Sequence, residues 1–360
     1  MTTLQDKFAD ARACMNAALI ERHDEIDLVL TGLLCNEHPL LVGPPGTGKS
    51  LLIDTLMSWI DGNAKQFGIL LGKYSVPDEM FGPLNVKDLK DGKFNRVTDG
   101  MLPEAHLAFI DEIFKASSAI LNSMLKVLNE RRFKQGANEV TCPLRIALAA
   151  SNEWPEAKEL GALFDRFILR KTVKQVSRLG RRRLMRERHH AAKFASKITL
   201  EELSKANAEA MALEFTETSY DAFDEILDEL AKEGISPGDR RLKKSMNICR
   251  AYAYLKGASE VEVEHLEVLK WVLWDDPTEQ ETKCHKVVGK IANPVGTQIT
   301  DLLMQASSVT EQCSKPEEAV TKLQDINDKL EEVPEHDRKQ AAIAYVKKEL
   351  KRNYERVIRV

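Results

Sequence analysis

Residues 43–50 combine glycines, a lysine and a hydroxyl group in the order that holds a polyphosphate. Gly43 and Gly48 let the backbone turn tightly, so that successive N–H groups face one point, and a helix beginning there adds the partial positive charge of its N-terminus. Lys49 reaches the outer phosphates, and the Ser50 hydroxyl is suited to bind magnesium. The sequence therefore predicts a site for a nucleoside triphosphate and Mg²⁺, formed by Gly43, Pro44, Pro45, Gly46, Thr47, Gly48, Lys49, Ser50 and Leu51.

The elements around this loop have the order that such a site needs. The apolar run 39–42 predicts a short buried strand before the loop, and residues 51–60 predict a helix after it. Residues 3–34 also predict helices, with a break at 21–24. The strand–loop–helix context distinguishes a phosphate loop from a fortuitous glycine-rich turn.

A second apolar run, residues 107–110, ends in two carboxylates. Such a run predicts a strand covered on both faces, and its carboxyl end lies where open α/β sheets bind ligands. Asp111 is suited to the magnesium shell, and Glu112 is suited to orient and deprotonate the attacking water. The pair therefore predicts hydrolysis as well as binding. Because the sequence has no Asn-Lys-x-Asp motif for guanine, ATP is the expected nucleotide.

Composition narrows the classes of protein to which this chain can belong. Its 360 residues are enough for two or three domains, and its net charge of −4 argues against general coating of nucleic acid. No apolar run approaches the roughly 18 residues of a membrane span, and the first ten residues lack the apolar core of a signal peptide. The six cysteines are scattered along the sequence, which favours reduced thiols and a cytoplasmic location.

The hydrophobic pattern changes character at about residue 175. Predicted strands and helices alternate from about 36 to 172, which indicates a largely parallel sheet with helices on both faces. A polar insertion at 78–100, a helix at 117–131 and a hairpin at 132–144 lie within this part. The later pattern is helical, at 178–193, 199–213, 217–233, 238–256, 261–274 and over about the last 80 residues.

Several segments of the sequence resemble the AAA+ ATPases, specifically the MoxR family and its RavA-like branch. The resemblance covers roughly residues 10–276, and the polar insertion resembles the family's helix-2 insertion. The segments are GPPGTGKS at 43–50, SVPDEMFGPL at 75–84, GMLPEAHLAFIDEIFKA at 100–116, ILNSMLKVLNERRF at 120–133, LAASNEWPE at 148–156 and LFDRFILR at 163–170. The RavA relatives carry a further β-rich insertion near the C-terminus, and this sequence has no counterpart of it.

The resemblance implies both a fold and its division into domains. Residues 1–175 are expected to form an AAA+ P-loop core, in which a parallel sheet is the middle layer of an αβα sandwich. Residues 176–276 are expected to form an all-α lid, and residues 277–360 a helical C-terminal extension. ATP would bind between core and lid, at the interface with the next subunit.

The resemblance also assigns two residues to the sensing of nucleotide. Asn152 corresponds to sensor 1, at the end of a strand beside Asp111, where an amide can hold the attacking water or contact the γ-phosphate. Arg240 corresponds to sensor 2, which would bring a positive charge from the lid to the phosphates of the same subunit. Arg241 is the alternative for that role.

Arg166 follows Asn152 by fourteen residues, and it corresponds to the arginine that reaches the γ-phosphate of the neighbouring subunit. A guanidinium arriving in this way stabilises charge on the transferring phosphoryl group. Arg170, one turn further on if the chain is helical there, is the alternative. Pairing of Arg166 with Asp165 or Glu159 would give it a structural role instead.

Residues 178–190 contain the chain's one basic cluster, with six arginines and two histidines. Arginines suit a nucleic-acid surface, but no aromatic side chains alternate with them to stack on bases. A solvated helix face or a subunit contact at the start of the lid is therefore the favoured interpretation.

These features together predict Mg-dependent ATP hydrolysis by a homo-oligomer, expected to be a hexameric ring. The resemblance implies chaperone-like remodelling of a protein client, often with a partner that carries a von Willebrand factor A domain. The sequence contains no Asp-x-Ser-x-Ser motif, so such a partner would be a separate chain. The alternatives are a DNA-dependent motor and a nucleotide-dependent scaffold with little turnover.

Overall fold

A computed structural model describes residues 3–155, 166–187, 191–313, 316–335 and 339–358. Its strands are β1 (Pro39–Val42), β2 (Gln66–Leu70), β3 (Leu107–Asp111), β4 (Arg132–Gln135), β5 (Asn138–Thr141), β6 (Ile146–Ser151) and β7 (Leu169–Thr172). Five of them form a parallel sheet in the order β2–β3–β6–β1–β7, and β4 pairs with β5 in a hairpin. The predicted α/β fold and the predicted hairpin are confirmed.

The strand register brings the predicted site residues to one edge of the sheet. Strand β1 pairs with β6 on one side and with β7 on the other, so that Val42 lies opposite both Ser151 and Thr172. Strand β3 pairs with β6 and ends at Asp111. Because all these strands are parallel, their carboxyl ends lie together, and the loops that follow them meet.

The two faces of the sheet are covered by different parts of the chain. Leu41 and Leu148 belong to a core shared with the N-terminal helices and the helices after residue 197. Leu40 and Ala149 belong to a second core, shared with the insertion and the hairpin. Alternate residues of a strand point to opposite faces, and these strands are apolar on both, as their continuous apolar runs predict.

The N-terminal region forms α1 (Leu4–Ala18) and α2 (His23–Cys35), separated at the predicted break. Thr3 begins α1 with a capping box, in which its hydroxyl accepts from the Asp6 N–H and the Asp6 carboxylate accepts from the Thr3 N–H. Helix α2 is buried along most of its length because it lies between β1 and the Asp239–Leu255 helix. After the phosphate loop, α3 spans Lys49–Trp59.

The polar insertion contains two short helices, α4 (Pro77–Phe81) and α5 (Val86–Lys90), and α6 (Ser118–Glu130) follows β3. The insertion is tied to the β4–β5 hairpin. Phe81 stacks on Phe133 with ring centroids 5.4 Å apart, and Gln135 Nε2 donates to the Arg96 carbonyl at 2.6 Å. The two segments therefore form one surface, on which Phe94 of the insertion and Val140 of the hairpin are exposed.

The helices after β7 follow the sequence prediction, except that the helix predicted at 178–193 ends at Arg186. They are Arg178–Arg186, Leu200–Met211, Glu217–Lys232, Asp239–Leu255, Val263–Trp271 and Gln280–Ala292. The Gln280–Ala292 helix buries Cys284 and Val288 in the same core as the helices before it. Arg188, His189 and His190 of the basic cluster lie outside the described residues.

The Val263–Trp271 segment is a 3₁₀-helix rather than the α-helix that the pattern at 261–274 predicts. Apolar residues recur there at every third position, Val263, Leu266 and Leu269, and side chains three apart align in a 3₁₀-helix. His265, Val268 and Trp271 are buried as well, so the segment is enclosed on more than one side.

Three long helices end the described chain: Pro294–Gln312, Pro316–Glu332 and Lys339–Ile358. They enclose a small core of their own, with Ile299, Leu323 and Val346 fully buried. In the described ranges, no helix has both the length and the apolar character needed to cross a membrane.

Candidate nucleotide site

The phosphate loop has the backbone conformation that its glycines allow. Gly46 and Gly48 have φ values of 77° and 82°, in the left-handed region that other residues rarely adopt. Gly43 is required for a different reason, because the carbonyl oxygen of Val173 lies 2.1 Å from where its Cβ would be. Pro44, Pro45, Gly46, Ser50 and Leu51 are exposed around the loop and at the start of α3.

Lys49 is the buried cation of this loop, with 7% of its side chain exposed. Its Nζ donates to the carbonyls of Gly43 and Pro44, at 2.5 and 3.1 Å, and to Asn152 Oδ1 at 3.1 Å. Burial lowers the pKa of Lys49, whereas the carboxylates of Asp111 and Glu112 act against that shift. Its hydrogen bonds in the described chain go to neutral oxygens, which a phosphate can replace as the partner.

Glu112 lies beside this lysine in a strained backbone conformation. Its φ is 53°, which is uncommon for a residue other than glycine and is often found at functional sites. The Glu112 N–H donates to Asp111 Oδ1 at 2.9 Å, and Lys115 Nζ lies 3.4 Å from Glu112 Oε1. Only 7% of Glu112 is exposed. The arrangement holds a carboxylate in a largely water-excluded position next to Asp111.

Asn152 connects the two motifs. Its amide oxygen accepts from Lys49, while its amide nitrogen donates to Glu112 Oε1 and its backbone N–H donates to Glu112 Oε2 at 3.4 Å. Lys49, Glu112 and Asn152 come from loops after three different strands, β1, β3 and β6. The sheet therefore assembles three of the predicted residues into one hydrogen-bonded chain.

The residues present fit a nucleotide with magnesium. Backbone N–H groups of the loop and a lysine bonded to neutral oxygens can receive phosphate oxygens. The exposed hydroxyl of Ser50 and the carboxylate of Asp111 supply the oxygen ligands that Mg²⁺ prefers. Asn152 lies in the same group of side chains, bonded to both Lys49 and Glu112.

Arg166 lies at the opposite edge of the sheet from the phosphate loop. Arg166 comes before β7, whereas the phosphate loop comes after β1, and these two strands are parallel. The two sheet edges are therefore separated by the length of a four-residue strand, about 13 Å. The side chain of Arg166 contacts the amide of Asn129, near the end of α6. The predicted structural partners, Glu159 and Asp165, lie outside the described residues.

Arg240 shares this contact with Arg166. In the orientation that satisfies the Asn129 amide, its oxygen accepts from Arg166 Nε at 2.6 Å. Arg240 Nη2 lies on the other side of the same amide, 3.4 Å from the oxygen of the opposite orientation. Asn129 follows Leu128, whose carbonyl is 3.0 Å from Nε2 of His38, the residue before β1. Asn129 and its two arginines are therefore at the amino edge of the sheet.

This placement corrects one expectation from the resemblance. Arg240 was expected to reach the phosphates of its own subunit, but it lies at the edge opposite to Lys49. The reason is that the Asp239–Leu255 helix packs on α2 and places its first turn beside the end of α6.

The two alternative arginines are buried in the structure. Arg170 is fully buried, and it belongs to strand β7 rather than to a helical turn beyond Arg166. Arg241 is also buried, and its Nη2 lies 2.7 Å from Asp275 Oδ1, which is 3.6 Å from Arg170 Nη1. Both guanidinium groups therefore join the sheet to the chain after the Val263–Trp271 helix.

Sequence reasoning missed two residues near these sites. Arg22 donates Nε and Nη2 to the carbonyl of Thr47, inside the phosphate loop, and Asn129 holds Arg166. Neither belongs to a local motif that marks its role. Only their position in the folded chain identifies them.

Known proteins resemble this chain in sequence and in fold. Residues 6–212 match a family described as the MoxR domain in the MoxR-vWA-beta-propeller ternary systems, and residues 220–288 match the AAA lid domain. An uncharacterized protein of Methanocaldococcus jannaschii is 37% identical over 302 residues, covering 84% of this chain and 78% of that protein. Another from the same organism is 38% identical over 266 residues, covering 74% and 70%.

Among solved structures, a candidate ATPase from Cytophaga hutchinsonii has the same fold. Its TM-score is 0.64, with 80% of this chain and 95% of that chain covered, at 15% sequence identity. At this identity the likeness concerns the fold alone.

Proposed function

Because this chain belongs to the MoxR-type AAA+ ATPases, we propose that it hydrolyses Mg·ATP in a homo-oligomer and uses the cycle to remodel or activate protein clients. The single observation that carries the proposal is the hydrogen-bonded chain Lys49–Asn152–Glu112 at the carboxyl edge of the sheet. It joins a phosphate-binding cation to a buried carboxylate, which is the arrangement needed to bind a triphosphate and activate water beside it.

Each residue has a separate task in the proposed reaction. Ser50 and Asp111 hold Mg²⁺, which supplies charge stabilisation at the phosphates. Lys49 leaves its carbonyl partners to bind the outer phosphate oxygens. Glu112 accepts a proton from the attacking water, and Asn152 orients that water or the γ-phosphate.

Arg166 and Arg240 are proposed to act on the nucleotide of the next subunit. Both meet at Asn129, at the sheet edge opposite to their own phosphate loop. A ring built by head-to-tail contacts brings one edge of a subunit against a different edge of its neighbour. Hydrolysis would then require assembly, because Arg166 and Arg240 would act only on the nucleotide of a neighbour.

The proposed partner is a separate chain with a von Willebrand factor A domain. The matching family is described by systems that contain such domains together with a β-propeller, and this description supports the proposal. The client would be contacted through the insertion and the β4–β5 hairpin, which form one surface with exposed apolar side chains such as Phe94 and Val140. Exposed apolar groups of this kind commonly mark protein interaction sites.

The finer assignments remain proposals. We propose a hexameric ring and membership of the RavA-like branch on the basis of the resemblance. The free thiols of all six cysteines support the proposal of a cytoplasmic location. The core, lid and extension are proposed at 1–175, 176–276 and 277–360. The packing of the Gln280–Ala292 helix with the lid helices favours an end of the lid after residue 292.

The proposal is tested by ATP hydrolysis in the purified protein with Mg²⁺. Wild type should hydrolyse ATP, and Glu112→Gln should bind ATP without turnover, trapping the partner or client for identification. A wild-type protein that binds ATP in a stable ring but does not hydrolyse it would favour the scaffold alternative instead.

A further inference from the structure

Glu21 and Arg22 lie in the turn between α1 and α2, and their side chains contact two parts of the nucleotide machinery. Glu21 has a φ of 55°, an uncommon value for a residue other than glycine. Arg22 is 93% buried, since only 7% of it is exposed. A strained residue beside a buried cation is a costly arrangement, and such arrangements are concentrated at functional sites.

The Arg22 guanidinium is held by backbone carbonyls. Its Nε and Nη2 donate to the Thr47 carbonyl at 3.1 and 3.0 Å, Nη2 also donates to the Lys174 carbonyl at 3.0 Å, and Nη1 donates to the Glu21 carbonyl at 2.7 Å. Within the described ranges, Arg22 has no carboxylate at ion-pair distance. Buried charges usually have such a partner, so this cation is kept for its effect on the carbonyls it holds.

The contact with Thr47 fixes one peptide plane of the phosphate loop. In a trans peptide the C=O and the following N–H point in opposite directions, and this chain has no cis peptide among its described residues. With the Thr47 carbonyl directed at Arg22, the N–H of Gly48 is directed away from Arg22. The Arg22 contact therefore decides where a phosphate-binding donor of the loop points.

Glu21 carries the connection to the first helix after the sheet. Its Oε2 accepts from the Ser177 N–H at 2.6 Å and its Oε1 accepts from the Ser177 hydroxyl at 2.5 Å. Ser177 is the N-cap of the Arg178–Arg186 helix. The carboxylate occupies the space beside Gly180, where a Cβ would lie 2.7 Å from Oε1. A negative charge at a helix N-terminus is stabilising, so this helix is held by Glu21.

We propose that Glu21 and Arg22 couple occupancy of the phosphate loop to the position of the Arg178–Arg186 helix, with Arg22 as a positioning residue for the loop. The Gly48 N–H and the Thr47 carbonyl belong to the same peptide group. A phosphate bound to that N–H therefore restrains the orientation of the carbonyl to which Arg22 donates. The adjoining Glu21 transmits that constraint to Ser177. This inference rests on the proposed function, because it needs ATP to bind this loop.

The experiment measures ATP affinity and amide exchange in the full-length chain, with Mg²⁺ and a non-hydrolysable ATP analogue as the probe. Arg22→Ala should raise the Kd about tenfold or more, because a hydrogen bond from a charged donor no longer orients the loop. Glu21→Ala leaves the Arg22 contacts with the loop in place and should change the Kd less than about threefold. It should, however, abolish the analogue-dependent protection of amides 177–183 that wild type shows.

Arg12→Ala is the matched control. Arg12 also joins α1 to α2, but its Nη2 donates to the Asp27 carboxylate at 2.9 Å and not to the phosphate loop. The control should keep both the wild-type Kd and the exchange response. If Arg22→Ala does not fold, Arg22→Lys is used to test the role of the guanidinium. Lysine keeps the positive charge but lacks the planar guanidinium that donates to several carbonyls, so it should still weaken ATP binding.

Two results would overturn the inference while leaving the proposed function standing. One is an Arg22 variant with the wild-type Kd, and the other is full analogue-dependent protection at 177–183 in Glu21→Ala. A wild-type chain that does not bind the analogue at all would instead remove the proposed function, and this inference with it.

Discussion

The Lys49 ammonium lies 3.1 Å from the amide oxygen of Asn152, and the amide nitrogen of the same side chain donates to Glu112. The amide thus contacts both the phosphate-binding residue and the proposed base. In the proposed mechanism, a phosphate would give Lys49 a partner of opposite charge, and the Asn152 oxygen would then be available to water or the γ-phosphate.

Asn152→Ala should therefore reduce turnover more than binding. Lys49 is unchanged and can still leave its carbonyl partners for the phosphates, but Glu112 loses the side-chain amide donor that orients it. We expect kcat to fall about 10²-fold, at the lower end of the range for a misplaced general base, with a Kd for ATP within about threefold of wild type. Lys49→Ala is the comparison and should lose binding itself. Equal losses of binding in the two variants would contradict the separate roles.

Mixing inactive variants tests whether the two arginines at Asn129 act between subunits. Arg166→Ala and Arg240→Ala should each be inactive, and each should regain ATPase activity when co-assembled with Lys49→Ala. The Lys49→Ala subunit supplies intact arginines to a neighbour whose own phosphate loop is intact. Fingers of this kind contribute about 10³–10⁵-fold to the rate.

The mixing result separates the two arginines as well. No recovery for Arg240→Ala, alongside recovery for Arg166→Ala, would assign Arg240 to its own subunit. No recovery for Arg166→Ala, in subunits shown to co-assemble, would remove Arg166 from the role of finger.

Gly43→Ala should destabilise the protein although it adds a single methyl group. The new Cβ would lie 2.1 Å from the Val173 carbonyl oxygen, and neither atom can turn away because the Cβ position is fixed by the Gly43 backbone and the oxygen is itself backbone. We expect the free energy of unfolding to fall by about 1–3 kcal/mol, the range for overpacking, measured by urea denaturation. Gly62→Ala is the control, because no atom lies within 4 Å of its Cβ position. An equal effect at both glycines would be evidence against the steric explanation.

Stability should fall as pH is lowered from 7 towards 5, in part through His38. Burial and the nearby Arg131 guanidinium hold the pKa of His38 well below its usual value of 6.5. The unfolded state therefore takes up a proton below pH 6.5 that the folded state does not, so the contribution is complete above that pH and is lost below it.

His38→Gln keeps an acceptor for the Ala147 N–H and a donor for the Leu128 carbonyl but cannot titrate. Its free energy of unfolding should depend less steeply on pH between 5 and 6.5, by up to about 1.4 kcal/mol per pH unit. An unchanged slope would exclude His38 as the source.

ATP hydrolysis should be indifferent to DNA. In the described part of the basic cluster, Arg181 and Arg183 are exposed, but no aromatic side chain lies among them. A DNA motor would show stimulated hydrolysis and binding that weakens steeply with salt. Salt-sensitive DNA binding that disappears when Arg181, Arg182 and Arg183 are changed to Glu would favour the DNA-dependent alternative.

The phosphate loop and the Asp111–Glu112 pair could be predicted from the sequence because their geometry is local. A glycine-rich turn between a strand and a helix places its N–H groups and Lys49 within a few residues of one another. Apolar runs likewise predicted the strand that ends at Asp111 and the strand that comes just before Asn152. The Val263–Trp271 segment was the exception, since a three-residue apolar period fits a 3₁₀-helix as well as it fits part of an α-helix.

The positions of the arginines depended on tertiary structure instead. Arg166, Arg170 and Arg240 are ordinary surface-type residues in the sequence, and nothing local tells which sheet edge they face. Because β1 and β7 are parallel, Arg166 lies at the sheet edge opposite to Lys49. Packing of the Asp239–Leu255 helix on α2 places Arg240 at the same edge as Arg166. Arg170 is likewise buried by segments distant in the sequence, and Arg22 contacts Thr47, which is more than twenty residues away. Sequence fixes what a residue can do chemically, but only the packing of distant segments decides which partner it meets.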